Sequence, residues 1–253
     1  MEISAELDQM LYDRYPAAFA DRHGDPSYTS MCFGFQIGDG WFGLVDALCE
    51  TLTYLASLDG SRVPVVQSVK QKFGRLRFDI AADPATAVAV ELAQELSIRV
   101  CEISGHPGRA CHVGRYTLMV LAAGQRPPGA LPVSLQHDAE HGRSAGWTEP
   151  LPMGFSLDDL VTRGRGLLNG PIAVPRGWYD LVDSPFCVVQ QRHGATDGMA
   201  KIQSIGRDQT GLWLDWTEDD VLTRALSASA RALSQRIDAT SGTVGRPTLN
   251  DDR

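Results

Sequence analysis

Apolar residues recur at two spacings in the first half of the chain, and each spacing predicts a different element. Four leucines between Leu44 and Leu55 repeat every three or four residues, which indicates a helix over 41–57. Residues 63–69 are rich in β-branched side chains, and residues 75–80 alternate strictly between apolar and polar. The pattern therefore predicts a helix followed by a β-hairpin that turns at 72–74.

A second helix is predicted directly after the hairpin. Asp83 has the character of an N-cap, and Pro84 suits the first turn of a helix. Apolar residues then continue at i, i+4 spacing from Val88 to Val100. This part of the chain therefore has the order helix, two strands, helix.

The same order recurs later in the chain. Residues 40–46 (GWFGLVD) return as residues 177–183 (GWYDLVD), and further blocks return at offsets of 136 or 137, giving 16 identities over 36 compared positions. Chance would give roughly two or three. We therefore predict an internal duplication with repeat units at about 38–110 and 175–247.

The second copy differs from the first in detail. Trp213 and Trp216 lie on its predicted hairpin. Thr217-Glu218-Asp219-Asp220 is expected to open its last helix with a cap and with first-turn acids, which the helix dipole favours. The copy keeps the plan of the first while its polar residues change.

These patterns predict an α+β fold of two pseudo-equivalent helix–β-hairpin–helix lobes. The first lobe is expected over 1–124 and the second over 151–253, with the proline-bearing segment 125–150 as a linker or long loop. One helix pair and two strands make a small core, so we expect the lobes to dock on a shared core and to complete a longer sheet.

Charge and cysteine content narrow the classes of function. The chain has 23 Lys and Arg against 31 Asp and Glu, a net charge of −8, which disfavours nucleic acid as the main partner. Five cysteines and an N-terminus without an apolar run predict a reduced, cytoplasmic protein. No stretch approaches the roughly 20 apolar residues of a membrane span, so no membrane partner is expected.

Gly38, Gly40 and Gly43 spell a G-x-G-x-x-G sequence, which in dinucleotide-binding folds brings backbone close to a pyrophosphate. Here Trp41 and Phe42 are bulky where close approach matters, and the second copy lacks two of the three glycines. We interpret the sequence as a helix start with a packing tryptophan, and we predict no cofactor.

A zinc site is the alternative to a metal-free loop after residue 100. The knuckle-like sequence at Cys101 has Ser104 in place of its second cysteine, and an alcohol replaces a thiolate poorly. If a zinc is bound, its ligands are Cys101, His106, Cys111 and His112. We predict no metal, because this spacing matches no common finger and the second copy has no equivalent cysteine.

Other catalytic signatures are missing from the sequence. His137 and His141 lie four residues apart, but they fall in the proline-bearing segment and do not form H-E-x-x-H. The nucleophile-elbow and phosphate-loop sequences are also absent. We interpret the histidine pair as part of a surface loop.

Five short runs stand out along the first part of the chain: Tyr15-Pro16, 31–35, 38–42, 69–78 and 101–105. In order and spacing these runs resemble a group of short uncharacterised proteins encoded in bacterial and phage genomes. That group typically carries a GDGW sequence, a KEKFGxLRFY-like run and a C-E-x-C-G knuckle. The resemblance covers about residues 7–120 and implies no established activity. The chain departs from the group at Ser104 and at Met119, where the group usually has cysteines.

Four cations are predicted on the outward face of the first hairpin. They are Lys70, Lys72, Arg75 and Arg77. At the matching positions the second copy has two glycines, an aspartate and Trp213. One interpretation is a solvated strand face with salt bridges. The other is a partner-contact surface that these cations form together with Trp213 and Trp216, since arginine and tryptophan are frequent at interface hot spots.

We therefore expect a non-catalytic protein-binding or inhibitor protein, most specifically an immunity protein that neutralises a toxin by occluding its active site. The alternative is a phage or mobile-element protein that contacts nucleic acid, or a nucleic-acid enzyme, through the basic hairpin. An enzyme with a site that sequence does not reveal is a third hypothesis. The partner and the oligomeric state are left open.

Overall fold

The computed structural model describes residues 2–114, 117–133, 148–193 and 200–246. The elements of the first part are α1 (Ala5–Arg14), α2 (Phe42–Asp59), β1 (Val66–Lys72), β2 (Arg75–Ile80), α3 (Pro84–Ser97), β3 (Arg109–Val113), β4 (Thr117–Leu121) and β5 (Leu131–Pro132). Those of the second part are α4 (Leu157–Arg163), α5 (Tyr179–His193), β6 (Ile202–Asp208), β7 (Gly211–Trp216) and α6 (Val221–Ser234). The predicted α+β class is confirmed.

Side-chain caps explain where several helices begin. The Asp83 carboxylate accepts hydrogen bonds from the first-turn amides of α3, as predicted. In α6 the cap is Asp220, so Glu218 and Asp219 precede the helix and the prediction of first-turn acids is wrong. Ser156 and Asp159 form a capping box at the start of α4, which ends at Arg163.

The two predicted hairpins have the same geometry. In the first, β1 and β2 run antiparallel with Lys70 opposite Arg77. In the second, β6 and β7 run antiparallel with Gly206 opposite Trp213. Each hairpin has one register shift at the start of its first strand. The hairpins remain separate two-stranded sheets, so the expectation of a longer shared sheet is wrong.

Equivalent hydrogen bonds recur in the two halves. Trp41 Nε1 donates to the Val100 carbonyl at 2.8 Å, and Trp178 Nε1 donates to the Ile237 carbonyl at 2.9 Å. Each bond ties the start of one helix to the chain that follows the next helix of the same half. The halves therefore share local structure, while their common ancestry stays a prediction.

The hairpins are tied to the helices in the same way. The Ser97 hydroxyl accepts a hydrogen bond from the Leu76 amide at 3.0 Å, and the Ser234 hydroxyl accepts one from the Leu212 amide at 2.8 Å. Both serines end a helix, and both amides lie near the start of the second strand of a hairpin. One hydroxyl thus fixes each hairpin against its helix.

The halves share one core. Helices α3 and α6 pack against each other, α2 packs against α6, and α3 packs against α5. A single cluster of buried apolar side chains runs through both halves. Shared burial of this kind is what small helix–hairpin units need for stability.

A three-stranded sheet with the order β4-β3-β5 was not predicted. Its short strand β5 lies inside the segment 125–150 that was predicted as a linker. His137 and His141 lie outside the described residues, so their interpretation as a surface loop stays a prediction.

Candidate binding groove

Two ion pairs connect the halves in opposite directions. Arg99 Nη2 lies 2.7 Å from Asp183 Oδ2, and Arg236 Nε lies 2.6 Å from Asp46 Oδ2. Asp46 and Asp183 hold corresponding positions, as do Arg99 and Arg236. Each half therefore supplies the arginine of one pair and the aspartate of the other.

A further arginine joins each aspartate. Arg14 of α1 lies 3.2 Å from Asp46, and Arg163 of α4 lies 3.6 Å from Asp183. Burial alone would lower the pKa of Arg236, but the carboxylates of Asp46 and Glu50 outweigh it and raise the pKa. The two crossed ion pairs therefore connect the halves.

The sequence pattern predicted that the Arg75 side chain lies on the outward face of the first hairpin, and the structure contradicts this. Its side chain is buried, and its Nη2 lies 2.9 Å from the buried Glu95 Oε1. Burial lowers the pKa of Arg75, and the Glu95 carboxylate offsets part of the shift. The prediction of an outward position is wrong because α3 brings a carboxylate under the first residue of β2.

The other three cations lie nearer the surface of the first hairpin. Lys70 Nζ lies 3.7 Å from Asp79 Oδ2. Lys72 is exposed, and its Nζ lies 5.5 Å from the centre of the Phe73 ring. Arg77 is half-buried. This arrangement agrees with a solvated strand face that carries salt bridges.

Trp213 and Trp216 do not form one surface. They are three residues apart on β7, so their side chains emerge on opposite faces of the strand. The Trp213 ring lies against Gly206, where any Cβ would collide with it. Trp216 faces the helices, and its Nε1 donates to Ser227 Oγ at 3.0 Å. Trp216 borders a concave surface.

This concave surface is a groove of about 570 Å³ between α2 and α6, with β7 at its edge. Its apolar lining comes from both halves: Tyr54 and Leu58 of α2, and Leu214 and Trp216 of β7. Tyr54 and Leu58 are 51% and 55% exposed. Tyr54 and Leu58 were not predicted as site residues, because they lie outside the buried leucine stripe of α2 and belong to no motif.

The polar wall of the groove is formed largely by α6. Arg224 and Arg231 lie two turns apart on this wall. Arg224 Nε lies 3.4 Å from the exposed Asp219. Across the described residues, the Arg231 guanidinium takes part in no ion pair or hydrogen bond. Its charge lowers the pKa of Asp208, but by less than the hydrogen bonds from Thr210 do. The groove thus combines apolar side chains with two arginines and with three acidic residues, Glu50, Glu218 and Asp219.

The corresponding place in the other half is closed. Gln191, which corresponds to Tyr54, donates at 3.0 Å to Glu95 and at 3.0 Å to Thr148. Arg192 donates to both oxygens of Glu91, at 2.6 and 2.8 Å. Helix α6 has alanines where α3 has these two glutamates. Short side chains on α6 therefore leave the groove open.

The four alternative zinc ligands do not come together. Cys101 and Cys111 are buried in a small apolar cluster with Leu121. Within the described ranges, no group of three or more His, Cys, Asp or Glu side chains is arranged to hold a metal ion. Burial raises the pKa of Cys111, which disfavours the thiolate that zinc needs.

The glycine-rich turn serves packing. Gly38, Asp39 and Gly40 lead through a short 3₁₀ turn into α2. A Cβ at Gly40 would collide with the backbone of residues 101–105. The close approach at Gly40 is therefore made by the protein's own chain, in agreement with a helix start.

Glu102 is a buried carboxylate that sequence analysis did not single out. Its side chain is almost inaccessible, and neither oxygen has a partner at hydrogen-bonding geometry within the part of the chain described. Burial raises the pKa of Glu102 to about 7. The polar groups of Val120 and Gln71 lie near the carboxylate and reduce this shift. In the other half Ala239 stands at the corresponding position.

Similarity does not identify the function. Comparison of the chain with protein families, curated proteins and solved structures finds no significant match. None of the described helices combines the length and apolar character needed to cross a membrane. Functional inference therefore depends on the geometry of the groove.

Proposed function

We propose that this chain is a non-catalytic binding protein that holds a segment of a partner protein in the groove between α2 and α6. The observation that carries the proposal is the open aromatic lining of Tyr54 and Trp216 beside the exposed Arg231. Tyrosine, tryptophan and arginine are the residues most enriched at interface hot spots. The groove volume is suited to a few buried side chains.

The disposition of charge supports a binding role. Asp46, Asp183, Arg99 and Arg236 neutralise one another between the halves. Their charge serves the scaffold, and the groove presents apolar side chains together with charges of both signs. A rigid scaffold with an apolar groove favours binding to a protein segment.

More specifically, we propose an immunity-type inhibitor that neutralises a toxin by covering its active site. The net charge of −8 would steer the protein towards a basic target such as a nuclease. With a segment of the toxin bound in the groove, the inhibitor would cover the neighbouring surface of the toxin and keep the substrate away from it.

The test is co-expression with the product of the adjacent gene, followed by titration calorimetry of the purified pair. We expect a stable complex and loss of the partner's toxicity. Trp216→Ala should weaken binding about 30-fold or more, the effect of losing a hot-spot residue. Tyr54→Ala gives a second test at an exposed position where misfolding is a smaller concern.

Trp213→Ala is the matched control, since it removes the same side chain from the other face of β7. Its binding should stay within about twofold of the unmodified protein. Absence of binding to the neighbouring product, or a larger effect for Trp213→Ala than for Trp216→Ala, would refute the proposal.

The basic hairpin supports the nucleic-acid alternative less well. Arg75 is buried against Glu95, and Lys70 lies beside Asp79. These carboxylates reduce the positive potential that phosphate binding needs. Steeply salt-dependent nucleic-acid binding that Lys72→Ala weakens would reverse this preference.

A further inference from the structure

A second cavity lies beside the groove, at the start of α2. It has a volume of about 380 Å³, and Gln235 borders both cavities. Three arginines line it: Arg14 of α1, Arg236 and Arg246. Three guanidinium groups around one small cavity suggest an anion as occupant, and the other half of the molecule supplies a template.

In the other half, one of the corresponding arginines pairs with a carboxylate, and a second acts on that carboxylate through its charge. Arg109, which corresponds to Arg246, donates to Asp180 at 2.8 Å through Nη2 and at 3.3 Å through Nη1. Arg99 corresponds to Arg236, and its charge also lowers the pKa of Asp180 against the larger effect of burial. A carboxylate thus fits among arginines arranged in this way.

The position that corresponds to Asp180 is Gly43, which has no side chain. A Cβ there would lie 2.6 Å from Val244 Cγ1 and 2.8 Å from the Gly245 carbonyl oxygen. Residue 43 therefore cannot supply the carboxylate. Arg246 turns instead to Asp39, at 3.3 Å, and to the Ile103 carbonyl.

Arg14 and Arg246 have N–H groups that donate to no acceptor among the described residues. A guanidinium has five N–H groups. Among the described residues, Arg14 uses one of them, towards Asp46, and Arg246 uses two. Their side chains are 42% and 37% exposed, so an entering ion can reach them. Asp46, which also lines the cavity, Glu50 and Asp39 supply three negative charges against the three arginines, which limits the strength of binding.

We propose that this cavity binds a carboxylate or phosphate group through Arg14 and Arg246, with Arg236 behind them. Both anions match the planar fork of arginine. Because the neighbouring acids screen the site, we expect a dissociation constant in roughly the millimolar range. The proposal does not depend on the groove or on a protein partner.

The test titrates the full-length protein with sodium acetate and, separately, with inorganic phosphate at constant ionic strength. Binding is followed by NMR of the arginine Nε–Hε groups. We expect saturable shifts with at least one anion, and the anion that saturates identifies the group the site prefers. Linear, non-saturating shifts with both anions would overturn the proposal.

Variants locate the site. Arg246→Gln and Arg14→Gln should each weaken binding about fivefold to tenfold, since each removes a charge-assisted contact. Arg62→Gln is the matched control, because Arg62 is exposed beyond the other end of α2. Equal weakening by Arg62→Gln, or none by the two cavity variants, would overturn the assignment.

Discussion

The Arg99–Asp183 and Arg236–Asp46 pairs hold corresponding positions, yet water reaches only the second. Arg99 and Asp183 are 0% exposed, whereas Arg236 is 17% exposed. Arg99 lies 3.2 Å from the thiol of Cys187, where the other half has Glu50. The same backbone frame thus supports a closed side and an open side. Neighbouring side chains decide which side is available to a ligand.

The largest difference should appear when each arginine is replaced. Arg99→Met should cost about 3–5 kcal/mol of unfolding free energy, because two fully buried carboxylates, Asp183 and Glu95, lose their shared cation and keep only Arg163 and Arg75 as partners. Arg236→Met should cost about 1–2 kcal/mol, because Arg14 still pairs with Asp46 and water reaches the site. Urea unfolding measures both values. Equal costs would remove the distinction between a closed and an open side.

The next largest expected effect is a dependence of the unfolding free energy on pH, which arises from Glu102 in the first half. The pKa of Glu102 is about 7 in the folded protein against an ordinary value of 4.5. Because the pKa of Glu102 is raised in the folded protein, the contribution of the neutral Glu102 side chain to the unfolding free energy is complete below pH 4.5. This contribution is lost as the pH rises through 7. The loss should reach roughly 3 kcal/mol at high pH.

Urea unfolding from pH 5 to 9 measures this loss, with Glu102→Gln as the reference variant. The glutamine keeps the shape of the neutral acid and cannot ionise, so its stability should vary less over this range. Identical pH profiles for the two proteins would contradict the assignment to Glu102.

A moderate effect, equal in the two halves, is expected for the helix-start tryptophans. Trp41→Phe and Trp178→Phe each leave a carbonyl without its indole donor. Each should cost about 2 kcal/mol from the lost bond and the lost contacts. Unfolding free energies from urea titrations should agree within about 0.5 kcal/mol. A larger gap would show that the two helix starts are not energetically equivalent.

The smallest effect concerns the serines that hold the hairpins. Ser97→Ala and Ser234→Ala should each cost about 1 kcal/mol, because a strand amide loses its acceptor. Hydrogen exchange at Leu76 and Leu212 should accelerate in the respective variant only. Faster exchange of both amides in one variant would mean that the hairpins open together.

Local pattern predicted much of the scaffold. The constant offset located both helix–hairpin–helix units, and Asp83-Pro84 identified the start of α3. The sheet of β3, β4 and β5 was missed because its strands are short and its partners come from separate parts of the chain. Strand pairing of that kind depends on tertiary contacts that periodicity does not carry.

The contacts of the buried charged side chains were harder to predict from the sequence. Alternation placed Arg75 outside, but a carboxylate from α3 determines its position. A usable signal did exist for the crossed ion pairs. Asp46 and Arg99 are both kept at the matching positions of the second copy, within otherwise apolar helical surroundings. Paired charges in repeated apolar blocks indicate contact between the repeats.

The crossed ion pairs give this chain the interface of a two-fold dimer inside one molecule. In such an interface each side presents the same patch, so that one contact implies its mirror contact. A dimer of separate chains dissociates on dilution, whereas covalently joined halves meet at a fixed effective concentration. Association of the halves is therefore independent of protein concentration, and the two surfaces are free to differ.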